Sequence, residues 1–401
     1  MKWLIVIPRY LPEYFGGNVT YTKLLAENLL KAGHEVQIIT TTKNKKLSSF
    51  EIINGLKIHR LFTSYGNMGP IYFNYTNKIT NYIIDLDLKE NFDCINTQAS
   101  FLIDYKKIRK NLFIISTCHA VISYEYFYRL KEQIIQNFNI YTLKDLMLFP
   151  INLILHYIRE LSTMNKAHSV VVMSHYVKNH VCKFFPFLNS KKIHISRIGF
   201  DNKFLIPENK NEARNKFDIN NQDICIFTVR RLEPRMGLQN LIDAVKIVIK
   251  KYNFNNIKLY IAGKGQLNNK LKEQIDKLEL SQNIFLLGYV SDDDLIKWYK
   301  AADLFVMPTK ELEGFGIAAL QALGVGLPVV STKAGANKEL TGRYYPELLT
   351  ETVNQPAHLA ESINKWLNNR NNFNYDDISK KVRQDYSWEK IVNELTTITD
   401  K

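Results

Sequence analysis

The stretch from Met307 to Thr332, with the strand just before it, constrains this chain most. Leu304-Phe305-Val306 is a short apolar run that reads as a buried strand. It leads into Met307-Pro308-Thr309-Lys310-Glu311-Leu312-Glu313-Gly314-Phe315-Gly316, and Ile317 to Leu323 then has helical composition, with Ala318, Ala319 and Ala322 as strong helix formers. Gly326-Leu327-Pro328-Val329-Val330-Ser331-Thr332 closes the segment. A strand that hands over to a helix through Gly-Phe-Gly exposes unpaired N–H groups and the positive end of the helix dipole, so an anion or a ring of hydroxyls docks there. Gly314 and Gly316 admit a ligand close to the backbone, and Glu313 adds an acceptor for hydroxyls or for a developing positive charge. Gln321 follows eight positions after Glu313. At about 1.5 Å per helical residue the two lie on the order of 12 Å apart. Taken alone, a Glu near Gly-x-Gly is more often an ordinary solvated loop acid, with Gln321 merely facing water.

A chain of 401 residues exceeds a single core and implies two domains. With 46% hydrophobic and 23% charged residues it is not disordered. Lys and Arg number 53 against 39 Asp and Glu, and the resulting +14 favours anionic partners such as nucleotide diphosphates or an acidic leaflet. No nucleic-acid recognition motif accompanies the charge, so no nucleic-acid partner is expected. Cys94, Cys118, Cys182 and Cys225 are scattered without a Cys-x-x-Cys, which indicates neither a metal site nor a disulfide framework and fits a reducing, cytoplasmic compartment. The apolar run Trp3 to Ile7 is too short for a signal-peptide core and reads as a first strand. Pro150, Asn152 and His156 interrupt Met147 to Ile158, which is therefore not a bilayer span.

In the N-terminal half, Trp3–Ile7, a loop with Gly16 and Gly17, a helix carrying Leu24, Leu25 and Leu29, and Val36–Thr40 form a βαβ opening. Its glycine pair lies at a strand's carboxyl end, where open α/β sheets bind ligands. Leu56–Leu61 and Phe92–Asn96 read as strands with a helix over Ile79–Leu88 between them, and the strand Phe113–Thr117 delivers His119. From Tyr124 to Met164 the chain is rich in aromatic, aliphatic and basic residues; such helical faces commonly pack inward, whereas a surface version would dock on an anionic bilayer. Pro207–Asn221 is polar and reads as a linker. Ile224–Val229 is then a strand that delivers Arg230, Arg231 and Arg235 into a turn before the helix Leu238–Ile249, and cations at such a turn suit a diphosphate. Leu259–Ala262 ends in Gly263-Lys264-Gly265, which places a further cation beside a turn.

The Glu313-Gly314-Phe315-Gly316 segment resembles the donor-binding signature of the family-four retaining glycosyltransferases (glycosyl transferases group 1), and the resemblance extends over nearly the whole chain. It implies a GT-B fold, α/β, of two Rossmann-like doubly wound domains facing a central cleft. Residues 1–203 would form the acceptor domain, with a C-terminal helix at 376–401 crossing back, and 204–375 the nucleotide-sugar donor domain. The family's roles fall on Glu313, His119 and Arg231 as catalytic residues, His119 positioning the sugar. Donor binding falls on Gly16, Gly17, Arg235, Gly263, Lys264, Gly314, Phe315, Gly316 and Gln321. Two positions depart from the pattern: Gln321 replaces the second acid, and Met236 replaces the lysine of Arg-Leu-x-x-x-Lys-Gly, with Arg235 expected to supply the missing charge. The resemblance implies transfer of a hexosyl unit, with retention and without a required metal or cofactor, from a UDP- or GDP-linked sugar. The acceptor would be a glycan or a polyprenyl-linked carrier at the inner face of the cell membrane, in bacterial surface polysaccharide biosynthesis. The alternative is a catalytically silent GT-B subunit that binds a sugar nucleotide or a partner glycosyltransferase.

Overall fold

The computed structural model describes residues 1–63, 72–98, 103–136, 140–207 and 209–399 and divides into two units, Met1–Gly199 with Trp388–Lys401, and Phe200–Ser387. In the first, strands β1 (Lys2–Arg9), β2 (Glu35–Thr42), β3 (Phe50–Ile53), β4 (Leu56–Phe62), β5 (Cys94–Gln98), β6 (Phe113–Cys118), β7 (Ser169–Val172) and β8 (Ile193–Ile195) form one sheet. Its order is β3-β4-β2-β1-β5-β6-β7-β8. All pairings are parallel except β3 with β4. Leu4, Ile5, Val6 and Ile7 of β1 are fully buried, as expected of a parallel strand covered on both faces. The opening strand–helix–strand is as the sequence indicates, with the helix Gly17–Lys31 between β1 and β2.

The second unit holds β9 (Ile224–Val229), β10 (Ile257–Ala262), β11 (Ile284–Gly288), β12 (Leu304–Met307) and β13 (Val329–Ser331), all parallel, in the order β11-β10-β9-β12-β13. The winding reverses between β9 and β12, which pair through Leu304 with Ile226 and Phe305 with Phe227. Loops leaving these two strands at their carboxyl ends therefore diverge from a crevice, the usual ligand position in open α/β sheets.

Three sequence expectations need correction. The return to the first unit begins at Trp388, not at 376, because the helix Tyr375–Asp385 is tied into the second unit. Arg383 Nη1 donates to the Gly324 carbonyl at 2.6 Å and Tyr344 Oη to Asp385 Oδ2 at 2.6 Å. Trp388 instead packs on Gly199 and on Tyr21 of the first unit. The expected linker contains a helix, Lys210–Lys216, started by a capping box between Asn209 and Glu212. It sends the buried Arg214 to the Ala301 carbonyl at 3.0 Å and to Asp303 Oδ2 at 2.5 Å.

The third concerns the aromatic and aliphatic region. A helix, Ile140–Lys166, runs through Pro150, and the face it packs inward is the mixed one. Asn152 Nδ2 donates to Tyr126 Oη at 3.2 Å, Phe149 stacks on Tyr126, and buried Glu160 accepts the Ile122 and Ser123 N–H groups at 2.6 and 2.9 Å. Met147 (75% exposed), Ile151 (59%), Ile154 (56%) and Ile158 (55%) recur at helical spacing on an aliphatic face left to solvent. Among the described residues no helix is long and apolar enough to cross a membrane.

Candidate functional site

Several of the residues the sequence singled out lie at the crevice of the second sheet. The helix after β12 starts at Ile317 and ends at Gly324. Residues 313 to 316 precede it, so the helical rise separates Glu313 from Gln321 only from Ile317 onward. Leu312 is buried at φ 61°, a left-handed conformation that costs a branched residue about 1–2 kcal/mol. Such strain persists where its surroundings over-determine it. Arg235 Nη1 donates to the Leu312 carbonyl at 3.3 Å, and the Ala336 N–H donates to the Glu313 carbonyl at 2.8 Å. Gly335, at φ 57°, comes so close to Glu313 that a Cβ there would lie 2.2 Å from its carbonyl oxygen.

Held in this way, the Glu313 carboxylate meets the turn after β9. Arg230 Nη2 donates to Glu313 Oε2 at 2.5 Å and to Thr309 Oγ1 at 2.6 Å, and Thr309 Oγ1 donates to the same carboxylate oxygen at 3.2 Å. The side chains of Arg230 and Glu313 are 8% and 13% exposed, so the pair is largely withdrawn from water. In that setting it is strongly directional, and loss of either partner leaves an uncompensated charge.

The other expected residues are placed as follows. Arg231 is half exposed and bonds Glu233 at 3.1 Å at the rim of the turn. Gly263 stands at φ 132° against the Arg230 carbonyl, closing the floor between β9 and β10. Lys264 is exposed, its Nζ 5.5 Å from the Tyr289 ring centroid. Phe315 turns its ring into the core against Tyr386, leaving its backbone for any ligand, and Gly314 and Gly316 flank it at the helix start. Gln321 is 3% exposed, and its Oε1 meets no hydrogen-bond donor among the described residues. A buried acceptor without a partner is costly and calls for one.

Gly16, Gly17 and His119 belong to the first unit. Gly16 is the N-cap of the helix that follows β1, and Gly17 is its first residue. His119 follows β6 in a polar ladder in which Thr117 Oγ1 and Gln98 Nε2 each donate to Asn96 Oδ1 at 2.8 Å, and Gln98 Oε1 accepts from His119 Nε2 at 2.9 Å. That acceptor fixes the proton on Nε2 and leaves Nδ1 as the acceptor. The ring stands edge-on to Tyr21, and its burial pushes its pKa down to about 4, so the imidazole is neutral at pH 7. Glu160, by holding the N–H groups of Ile122 and Ser123, braces the turn that carries His119.

The sequence reading counted Arg230 among the cations of the turn after β9 but gave the family's arginine role to Arg231, and it linked neither Arg230 nor Thr309 to Glu313. Their signal was position: each is among the first residues beyond the carboxyl end of one of the two strands at the switch point.

Two doubly wound parallel-sheet units in one chain define the GT-B class. Two family models match, Glycosyltransferase Family 4 over residues 15–203 and Glycosyl transferases group 1 over 209–385, and the chain belongs to this group of GT-B glycosyltransferases. It is 27% identical to an uncharacterised glycosyltransferase of Methanocaldococcus jannaschii over 99% of this chain and 97% of the relative. It is 23% identical to the alpha-monoglucosyldiacylglycerol synthase of Streptococcus pneumoniae over 80% of this chain and 69% of that one. Its fold superposes on Anabaena HepE, crystallised with UDP and glucose, with a TM-score of 0.76 at 16% identity over 100% of both chains.

Proposed function

We propose that this glycosyltransferase moves a hexosyl unit, with retention and without a required metal, from a nucleotide-diphosphate sugar to a glycan or lipid-linked acceptor in bacterial surface polysaccharide biosynthesis. The observation that carries the reading is the Arg230–Glu313–Thr309 cluster at the switch point of the second sheet. A diphosphate needs cations and backbone N–H groups, and the sugar needs an acceptor fixed beside them; a strand-to-helix loop ending in Gly-Phe-Gly supplies both. Gln321 supports the ribose end, since a ribose hydroxyl would satisfy its unpartnered Oε1. UDP is the first donor nucleotide to test, because the Anabaena protein of like fold was crystallised with it.

In the proposed reaction the bond from sugar C1 to the diphosphate oxygen breaks as the acceptor oxygen bonds C1 on the same face. The acceptor proton passes to the departing phosphate. Glu313 steadies the positive charge that develops on the sugar, and arginine charge steadies the leaving group. The exposed aliphatic stripe Met147–Ile158 and the +14 charge support peripheral contact with an anionic membrane at its cytoplasmic face, where a polyprenyl-linked acceptor would lie. The Streptococcus pneumoniae relative is by name a synthase of a diacylglycerol glycolipid, which is consistent with an acceptor of this kind.

The test is turnover by the purified chain on UDP-, GDP- and dTDP-sugars with polyprenyl-diphosphate-linked saccharides. Release of nucleoside diphosphate and an α-linked product from an α-linked donor is expected. Donor binding with no release over the whole panel would refute the enzymatic reading and favour the silent sugar-nucleotide-binding subunit to which Met236 and Gln321 give weight.

A further inference from the structure

Three arginines leave β9 on one turn, at 230, 231 and 235, and they do different things. Arg231 faces solvent at Glu233, and Arg235 holds the Leu312 carbonyl. Arg230 turns inward, and its Nη2 reaches three groups at once: Glu313 Oε2 at 2.5 Å, Thr309 Oγ1 at 2.6 Å and Met236 Sδ at 3.1 Å. Its buried Nε–H finds no acceptor among the described residues.

Met236 is the position where the family resemblance expects a lysine. A lysine there would follow the same path as far as its δ carbon and carry its ammonium two bonds further, about 2.5 Å on. The Arg230 guanidinium stands in contact with that δ position, between it and Glu313. We propose that Arg230 has taken over the charge of the missing lysine: the cation beside Glu313 is delivered from residue 230, across the thioether of Met236, to bind the diphosphate of the donor. This rests on the donor-binding reading above and assigns the role to Arg230 in place of Arg235.

The residues present suit that exchange. A lysine at 236 beside Arg230 would set two like charges against each other in a site screened from water, whereas a thioether fills the space and tolerates a guanidinium at its sulfur. The Nε–H without an acceptor and the pairing of Nη2 with an anion describe a cation whose partners a phosphate could replace or extend. In the ligand-free protein Glu313 is the counter-ion; when a diphosphate arrives, it competes for the guanidinium and frees Glu313 Oε2 for a sugar hydroxyl.

The experiment is calorimetric binding of UDP, GDP and dTDP, with uridine, guanosine and thymidine measured by competition, to the full chain and to Arg230→Ala, Met236→Lys and the double variant. Thermal melts check that each variant folds, and Arg230→Lys stands in should Arg230→Ala not fold. The proposal expects Arg230→Ala to lose roughly 10- to 100-fold in diphosphate affinity with nucleoside affinity unchanged. Met236→Lys in that background should recover most of the loss. Wild-type diphosphate affinity in a folded Arg230→Ala overturns the assignment and leaves the donor reading standing. So does an equal loss for nucleoside and diphosphate, which would mark a merely structural residue. Failure of the unaltered chain to bind any of the three diphosphates overturns the donor reading and this inference with it.

Discussion

Replacing Gly335 by alanine tests whether the loop carrying Glu313 is held by close backbone approach. The residue sits at φ 57°, and a Cβ placed there would lie 2.2 Å from the Glu313 carbonyl oxygen and 2.7 Å from its nitrogen. Two costs follow. The left-handed conformation costs alanine about 1–2 kcal/mol, and a methyl forced against backbone costs about 1–3 kcal/mol as the loop shifts to make room. The sum, roughly 2–5 kcal/mol, corresponds to a Tm lower by about 4–20 °C for a unit of this size. Gly288→Ala is the internal control: its φ is 68°, in the same conformational region and the same unit, but none of the described residues lies within 4 Å of its Cβ position. It should lose only the first term. Differential scanning calorimetry of both variants, with nucleoside-diphosphate binding measured alongside, separates the contributions. Gly335→Ala should be the less stable of the two and the only one to weaken binding. Equal loss of stability in both, with binding intact, would show that the contact with Glu313 is dispensable and refute the steric account of the loop.

Other outcomes follow from the same structure. Glu313→Gln, which keeps the shape and an acceptor but removes the charge, should lower turnover by roughly 10²- to 10³-fold as read by nucleoside-diphosphate release, while the chain stays folded; unchanged turnover would remove Glu313 from the chemistry. His119 has a folded pKa of about 4, depressed from the ordinary histidine value of 6.5 by burial. Its contribution to stability is therefore present above about pH 6.5 and lost as pH falls toward 4, amounting to about 3 kcal/mol. His119→Gln should flatten that part of a denaturant-midpoint-against-pH curve, and an unaltered slope would contradict the burial assigned to the ring. Ile151→Asp with Ile154→Asp should abolish co-sedimentation with phosphatidylglycerol vesicles and leave the Tm within about 2 °C, since both side chains are exposed; retained binding would place the membrane contact elsewhere.

Much of this fold was legible because parallel strands buried on both faces leave plain apolar runs. Ile224–Val229, Leu304–Met307 and Phe113–Cys118 announce themselves within a residue or two. The β3–β4 hairpin escaped notice because Phe50–Ile53 is an exposed edge strand, although its Asn54-Gly55 turn was a usable signal. The helix Lys210–Lys216 looked like a linker since it buries only a small side chain, Ala213, and a polar one, Arg214, whose partner, Asp303, is far along the sequence. Periodicity alone also cannot say which face of Ile140–Lys166 turns inward. Polar Asn152 and Glu160 go in because Tyr126 and the backbone of Ile122 and Ser123 wait for them, and aliphatic Ile151 and Ile154 stay out. At the site, motif resemblance pointed to Glu313, its glycines and Arg231, whereas the contact between Arg230 and Glu313 had no counterpart in the motif. Neighbouring side chains beyond a strand point to opposite sides, and only the three-dimensional arrangement shows that Arg230 is the one meeting Glu313.

The most direct test of the central claim is a crystal structure of the chain with the sugar nucleotide that raises its Tm most. The account predicts the diphosphate beyond the carboxyl ends of β9 and β12, within hydrogen-bond reach of Arg230, with the sugar on Glu313 and a ribose hydroxyl on Gln321. A nucleotide bound away from that crevice, with the Arg230–Glu313 pair undisturbed and Gln321 still without a partner, would contradict it.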